Sequence, residues 1–159
     1  MFCEVCGTKL ELKEVLNEGM VPYCPNCKEL RFPKFNVGIS SLILSPNRDE
    51  ILLIKQYNTN FYRLVAGYTN KGESLEETLI REIKEEVSLD VASYKPLKSA
   101  YYAKSDTLLQ CFVVVAKDKN VVPNYEVQGY KWFKLTDAYE ALKEAKLAYS
   151  FFDYFMNNK

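Results

Sequence analysis

GYTNKGESLEETLIREIKEEVSL, residues 67–89, sets three carboxylates, Glu82, Glu85 and Glu86, within one and a half helical turns. Ser74 followed by Glu77 three residues on is a capping box, so a helix is predicted from Leu75. At 100° per residue, Leu75, Leu79, Ile80, Ile83 and Val87 share a side that must face a core. Glu77, Arg81 and Lys84 share the opposite, solvated side. Glu82 and Glu85 fall on the seam. Glu86 falls inside the apolar sector, one helical repeat below Leu79. An unpaired carboxylate there costs several kcal/mol, and three like charges in one turn repel one another. A solvated helix face requires neither placement. A divalent cation relieves both, because it supplies the missing opposite charge. An ordinary polar seam is the plain alternative.

The whole composition narrows the chemistry. A chain of 159 residues suits one full domain with a small appendage, and 48% hydrophobic content can bury a sizeable core. Lysine plus arginine equals aspartate plus glutamate at 21 each, which leaves no electrostatic footprint for duplex nucleic acid or an anionic membrane. A small nucleotide needs only a local site. No basic start with an apolar stretch behind it marks a signal peptide, and no apolar run approaches the length of a membrane span, so a cytoplasmic protein is expected. There is no histidine. Acid–base work therefore falls to carboxylates, Lys, Tyr, Cys or bound water.

Four of the five cysteines fall as Cys3-x2-Cys6 and Cys24-x2-Cys27. Thiolates at this spacing suit a tetrahedral structural Zn²⁺. A pair of disulfides and a thioredoxin-like redox motif are the competing readings, and two matched pairs without a secretory signal disfavour both. Four sulfur ligands leave no open position, so such a zinc holds together a segment too short for its own core. Cys111 lies in the apolar run TLLQCFVVV and is expected to pack as a small hydrophobe.

The organisation follows: a zinc ribbon over residues 1–33, then an α/β layered domain over 34–159. Strands are predicted at 35–45, 50–56, 61–67, 107–117 and 130–135, and helices at 74–88, 137–146 and 148–157.

The quoted stretch resembles the Nudix box, Gly-x5-Glu-x7-Arg-Glu-U-x-Glu-Glu-x-Gly-U, with U apolar. Gly67, Glu73, Arg81, Glu82, Ile83, Glu85, Glu86 and Leu89 match, and Ser88 replaces the last glycine. The four-Cys module upstream makes the chain similar to the zinc-ribbon branch, typified by NADH pyrophosphatase. The resemblance implies a Nudix α/β/α sandwich with a mixed sheet. It implies hydrolysis of a nucleoside diphosphate linked to another group, X. Glu82, Glu85 and Glu86 would hold Mg²⁺ or Mn²⁺, with the Gly67 carbonyl as a further ligand. Arg81 would brace Glu73 and the ligating glutamates. Glu85 is the first choice of general base, since the seam places it nearest solvent. Glu126, in NYEVQGYKWF, matches a downstream acidic position that can complete the metal shell; a plain loop glutamate is the equal reading.

Two departures bear on the outcome. If residue 88 must be left-handed, serine there costs about 1 kcal/mol relative to glycine. The branch's SQPWPFPxS motif is replaced by SAYYAKSDTLL at 99–109, which retains only Ser99. Tyr101 and Tyr102 could stack on a base, against surface or homodimer packing as the better plain reading. Tyr57, Phe61 and Tyr62 add aromatic surface near the box. Arg63 could reach a phosphate, with a structural salt bridge as the equal reading. The favoured substrate is an ADP-X pyrophosphate such as NADH or ADP-ribose. A housecleaning nucleoside triphosphate pyrophosphohydrolase and a non-catalytic ribbon–Nudix binding module stay open.

Overall fold

The structure is a computed structural model that describes residues 1–158. The first unit, Met1–Phe35, buries little of its apolar sequence. Its chain folds back in three short antiparallel strands, β1 (Glu11–Val15), β2 (Gly19–Cys24) and β3 (Glu29–Leu30). Most of their side chains are exposed; Cys3, Val21 and Cys24 are buried.

The second unit begins at Asn36. It contains β4 (Asn36–Leu44), β5 (Glu50–Gln56), β6 (Val65–Tyr68), α1 (Leu75–Val87), β7 (Val91–Tyr102), β8 (Thr107–Ala116), β9 (Val127–Lys134), α2 (Leu135–Leu142) and α3 (Lys146–Asn157). The sheet order is β7-β8-β4-β5-β9, with β6 also paired to β4. Only β4 and β8 run parallel, so the sheet is mixed. Successive strand residues point to opposite faces, and the central strands are apolar at nearly every position. Ile39, Ile43, Leu52, Ile54, Phe112 and Val114 therefore pack on one side, with Leu79, Ile83 and Val87 of α1. Leu42, Leu44, Ile51, Leu53, Cys111 and Val113 pack on the other, with Ala138, Leu142, Phe151 and Phe152 of α2 and α3. Cys111 is fully buried there.

Several elements differ from the sequence expectations. The strand predicted at 61–67 is shorter and later, because Arg63 makes only an isolated bridge to Ile54. The helix predicted at 137–146 runs from Leu135 to Leu142 and gives way before α3. β7 was not anticipated. It is an edge strand with most positions exposed, so it carries little hydrophobic alternation, and Lys95, Pro96 and two register shifts interrupt it. Ile80, placed with the core by the helical wheel, is 42% exposed at the margin of α1. Arg81, placed on the solvated side, is only 25% exposed. Its long side chain folds back along the helix to its carboxylate partners.

Candidate active site

α1 starts as its sequence dictates. Ser74 Oγ accepts from the Glu77 amide at 3.1 Å, and Glu77 accepts from the Ser74 amide at 2.8 Å. The helix ends at Ser88 with φ 57°, a left-handed cap on a residue with a Cβ. These termini fix the azimuth of three glutamates. Glu86 is buried at 3% exposure, Glu82 is half-buried, and the Glu85 side chain is 56% exposed.

Arg81 organises the surroundings. Its Nε and Nη2 donate to the two oxygens of Glu73 at 2.7 and 2.9 Å. Nη1 donates to Glu82 at 2.7 Å and to Glu85 at 3.2 Å, and Nη2 also reaches the Tyr68 carbonyl at 3.0 Å. Glu73 is further held by the amide and side chain of Asn70 and by the Thr78 hydroxyl. The Arg81 guanidinium, first among these donors, keeps the Glu73 carboxyl well below the usual carboxylate range.

β6 delivers Gly67 to this helix. A Cβ there would collide with the Glu82 carboxylate, and a Cβ on Gly38 of β4, which pairs with the next residue, Tyr68, would sit 2.6 Å from the Gly67 carbonyl oxygen. Only glycine allows both approaches. The loop after β8 is tied to the end of α1. The Val122 amide donates to the Val87 carbonyl at 3.1 Å, and the Asn124 amide to the Glu86 carbonyl at 3.0 Å. Asn124 Oδ1 then accepts from the Glu126 amide at 2.9 Å. This fastening carries Glu126 into the electrostatic field of Glu82 and Glu86.

The acids are under-compensated. Burial, then the neighbouring charges of Glu82, Glu126 and Glu85, pushes the Glu86 carboxyl up to about 7, with Gln56 beside it offsetting part. Burial also raises Glu82, against the opposing pull of Arg81. Glu86 Oε2 is buried with no hydrogen-bond partner. Gln56 Nε2, equally buried, has none either. An orphaned carboxylate oxygen among further carboxylates is the donor set of a hard cation. Oxygen ligands of this kind fit Mg²⁺ or Mn²⁺. Among the described residues the four cysteines are the one group whose ligand atoms all close to within 4.8 Å; the glutamates stay spread while Arg81 holds Glu82 and Glu85.

The sequence profile of the NUDIX domain matches residues 34–155. The chain belongs to the Nudix family. Among curated relatives it is 28% identical over 137 residues to the NAD-capped RNA hydrolase NudC of Pseudomonas aeruginosa, covering 84% of this chain and 48% of that one. It is 27% identical over 139 residues to that of Vibrio atlanticus, covering 85% and 49%. The chain thus spans about half the length of the curated relatives it matches. Among solved structures, a NUDIX hydrolase from Nitrosomonas europaea superposes with TM-score 0.64 at 18% identity, covering 88% of this chain and 81% of that one. A C. elegans Ap4A hydrolase superposes with TM-score 0.63 at 20% identity, covering 76% and 96%. The second unit has the Nudix α/β/α fold.

In this Nudix domain the remaining candidate residues separate. Tyr62 is partly buried against the α2/α3 side of the core, edge-on to Phe133 at 4.9 Å, with Lys55 Nζ over its ring. Tyr101 hydrogen-bonds Asp106 across the β7–β8 hairpin. Tyr102 and Arg63 line one cleft. Arg63 makes no salt bridge among the described residues; its guanidinium lies 5.0 Å from the Tyr57 ring centroid and 4.7 Å from that of Phe61. Sequence reasoning missed Gln56. It closes an apolar strand and carries no motif; strand alternation puts it on the face of Leu52 and Ile54, which pack with α1, and so beside Glu86.

In the first unit, Cys3 Sγ lies 3.9 Å from Cys27 Sγ, and Cys6 Sγ lies 3.5 Å from Cys24 Sγ. Tetrahedral zinc with bonds of about 2.3 Å needs sulfurs about 3.8 Å apart. All four cysteines are free thiols, and the cluster is compatible with a zinc ribbon. Arg31 Nε donates to Cys3 Sγ at 3.4 Å and Nη1 pairs with Glu29 at 2.6 Å, which suits a thiolate site with excess negative charge.

Proposed function

We propose that this chain is a divalent-metal-dependent hydrolase of a pyrophosphate that joins a nucleoside to a second group, of the ADP-X type. The orphaned, buried Oε2 of Glu86 among Glu82, Glu85 and Glu126 carries this reading. Those four carboxylates and the Gly67 carbonyl would hold Mg²⁺ or Mn²⁺. When bound, the cation neutralises pyrophosphate oxygens and acidifies water. Glu85, the most exposed of the three helix carboxylates, accepts a proton from the attacking water. Water adds across the P–O–P bond; one phosphorus gains the new oxygen, and the bridging oxygen leaves with the other, giving AMP and phosphorylated X. Arg81 positions Glu82 and Glu85 and is itself anchored by Glu73. Thiolates of Cys3, Cys6, Cys24 and Cys27 hold a structural Zn²⁺ in a ribbon of about residues 1–33, ahead of the hydrolase domain.

The names of the relatives add the NAD-capped end of an RNA to NADH and ADP-ribose as candidates for X. A panel of these with Mg²⁺, scored by product analysis, tests the reading. AMP release that Glu85→Gln lowers about a hundredfold, and Glu77→Gln leaves nearly unchanged, supports it. Pyrophosphate release from a nucleoside triphosphate, with all three ADP-X compounds untouched, replaces it with the housecleaning activity. No turnover anywhere favours the binding module.

A further inference from the structure

β5 ends on a residue that its apolar pattern does not explain. Leu52 and Ile54 face α1 and join the core there. Strand alternation puts Gln56 on the same side, level with Val127 of β9. Gln56 is 2% exposed. Its Nε2 is buried with no hydrogen-bond partner, and so is Oε2 of Glu86 beside it. A donor and an acceptor thus lie unpaired next to each other. Burying either one unpaired is costly, and an apolar side chain at 56 would remove the donor's share of that cost.

The turn that follows holds Gln56 in place. Tyr57 and Asn58 are both left-handed, with φ 58° and 53°. Backbone of this kind persists where its surroundings fix it. Here the Thr59 hydroxyl and amide donate to the Gln56 carbonyl at 2.8 and 3.2 Å. Asn58 also exchanges two hydrogen bonds with the Gln128 side chain, at 2.8 and 2.9 Å. Arg63, opposite Ile54 on the same face, is engaged elsewhere. Its Nη2 donates to Thr59 Oγ1 at 3.1 Å, and its guanidinium lies against the Tyr57 and Phe61 rings. It leaves Oε2 of Glu86 without a partner.

We infer that Gln56 is a positioning residue of the cation site: its Nε2 donates to one oxygen of Glu86 when an ion is held, and leaves the other oxygen for that ion. A neutral amide suits this task. A lysine or arginine at 56 would compete with the ion for Glu86. An acid would add a further repulsion to those of Glu82, Glu85 and Glu126. An apolar side chain would let the carboxylate turn. In this role Gln56 acts through Glu86 and touches neither the ion nor the pyrophosphate.

The inference rests on the divalent-cation reading above, and Mn²⁺ binding tests the two apart. The full zinc-loaded chain is titrated with Mn²⁺, and the free ion is followed by electron paramagnetic resonance. Gln56→Met keeps the bulk and removes the donor. Gln56→Asn keeps an amide but draws it back by one methylene. Each is expected to bind Mn²⁺ about tenfold more weakly than wild type. The metal-free variants should melt within about 3 °C of wild type. In a Glu86→Asp background, whose carboxylate is withdrawn from Gln56, Gln56→Met should change the affinity less than about twofold. In a Glu85→Gln background the tenfold loss should persist. Wild-type affinity in both Gln56 variants overturns the inference. An equal loss with Glu86→Asp overturns it too, since Gln56 would then ligate the ion itself. So does a drop of roughly 10 °C or more in both metal-free variants, which makes Gln56 a packing residue. A wild type that takes up no Mn²⁺, or that Glu86→Gln matches, sinks the cation site itself and the inference with it.

Discussion

Removing the charge of Glu86 should stabilise the metal-free protein while abolishing its response to metal. Glu86 is 3% exposed and its carboxyl is pushed from 4.5 up to about 7, chiefly by burial. A raised folded pKa contributes stability that is fully present below the unfolded value and is lost as pH rises through the folded one. The window is therefore about pH 4.5 to somewhat above 7. Across it, ionising Glu86 weakens the fold by about 3 kcal/mol, at about 1.4 kcal/mol per pH unit. Glu86→Gln keeps the size and never ionises. Wild type and variant should unfold alike at about pH 4.5, whereas at about pH 8.5 the variant should melt higher by roughly 6–12 °C. Thermal melts of the metal-stripped, zinc-retaining protein at both pH values measure this, and subtracting the variant removes every other titrating group. Adding Mn²⁺ at the higher pH should raise the melting temperature of wild type well above that of the variant, because a cation that binds the folded state stabilises it by mass action. Parallel pH dependence of the two proteins, or equal gain from Mn²⁺, refutes the reasoning.

Other consequences are as direct. Ser88→Gly should stabilise the second unit by about 0.5–1 kcal/mol in urea unfolding, because φ 57° strains a residue with a Cβ. The Glu73 carboxyl, held low by Arg81, contributes stability above the ordinary carboxylate pKa that is lost only as pH falls through its depressed value. Arg81→Gln should therefore move the acid-unfolding midpoint upward, and an unmoved midpoint counts against the brace. Gentle purification should give one zinc per chain by metal analysis; Cys24→Ser should lose it and make the segment before Pro33 sensitive to protease, with α1 still protected in hydrogen exchange.

The sequence by itself determined whatever depends on short-range spacing. Ser74 and Glu77 fixed where α1 begins, because a capping box is local chemistry. The 3.6-residue repeat then placed Glu86 with Leu79 on the buried side. The paired Cys-x2-Cys turns announced a sulfur cluster, and the apolar runs at 35–45, 50–56 and 107–117 announced the buried strands β4, β5 and β8. Local pattern could not supply β7, whose exposed residues owe their strand geometry to pairing with β8. Nor could it aim Ile80 or Arg81, since the margin of a helix is buried or bare according to what packs beside it. Tertiary structure alone brought Glu126 to the α1 acids, through amide bonds from Val122 and Asn124 to the end of the helix. It alone brought Gln56 beside Glu86. Those residues are far apart in the chain and share no motif. Their juxtaposition follows from sheet order and register, which are settled by burying two apolar faces at once.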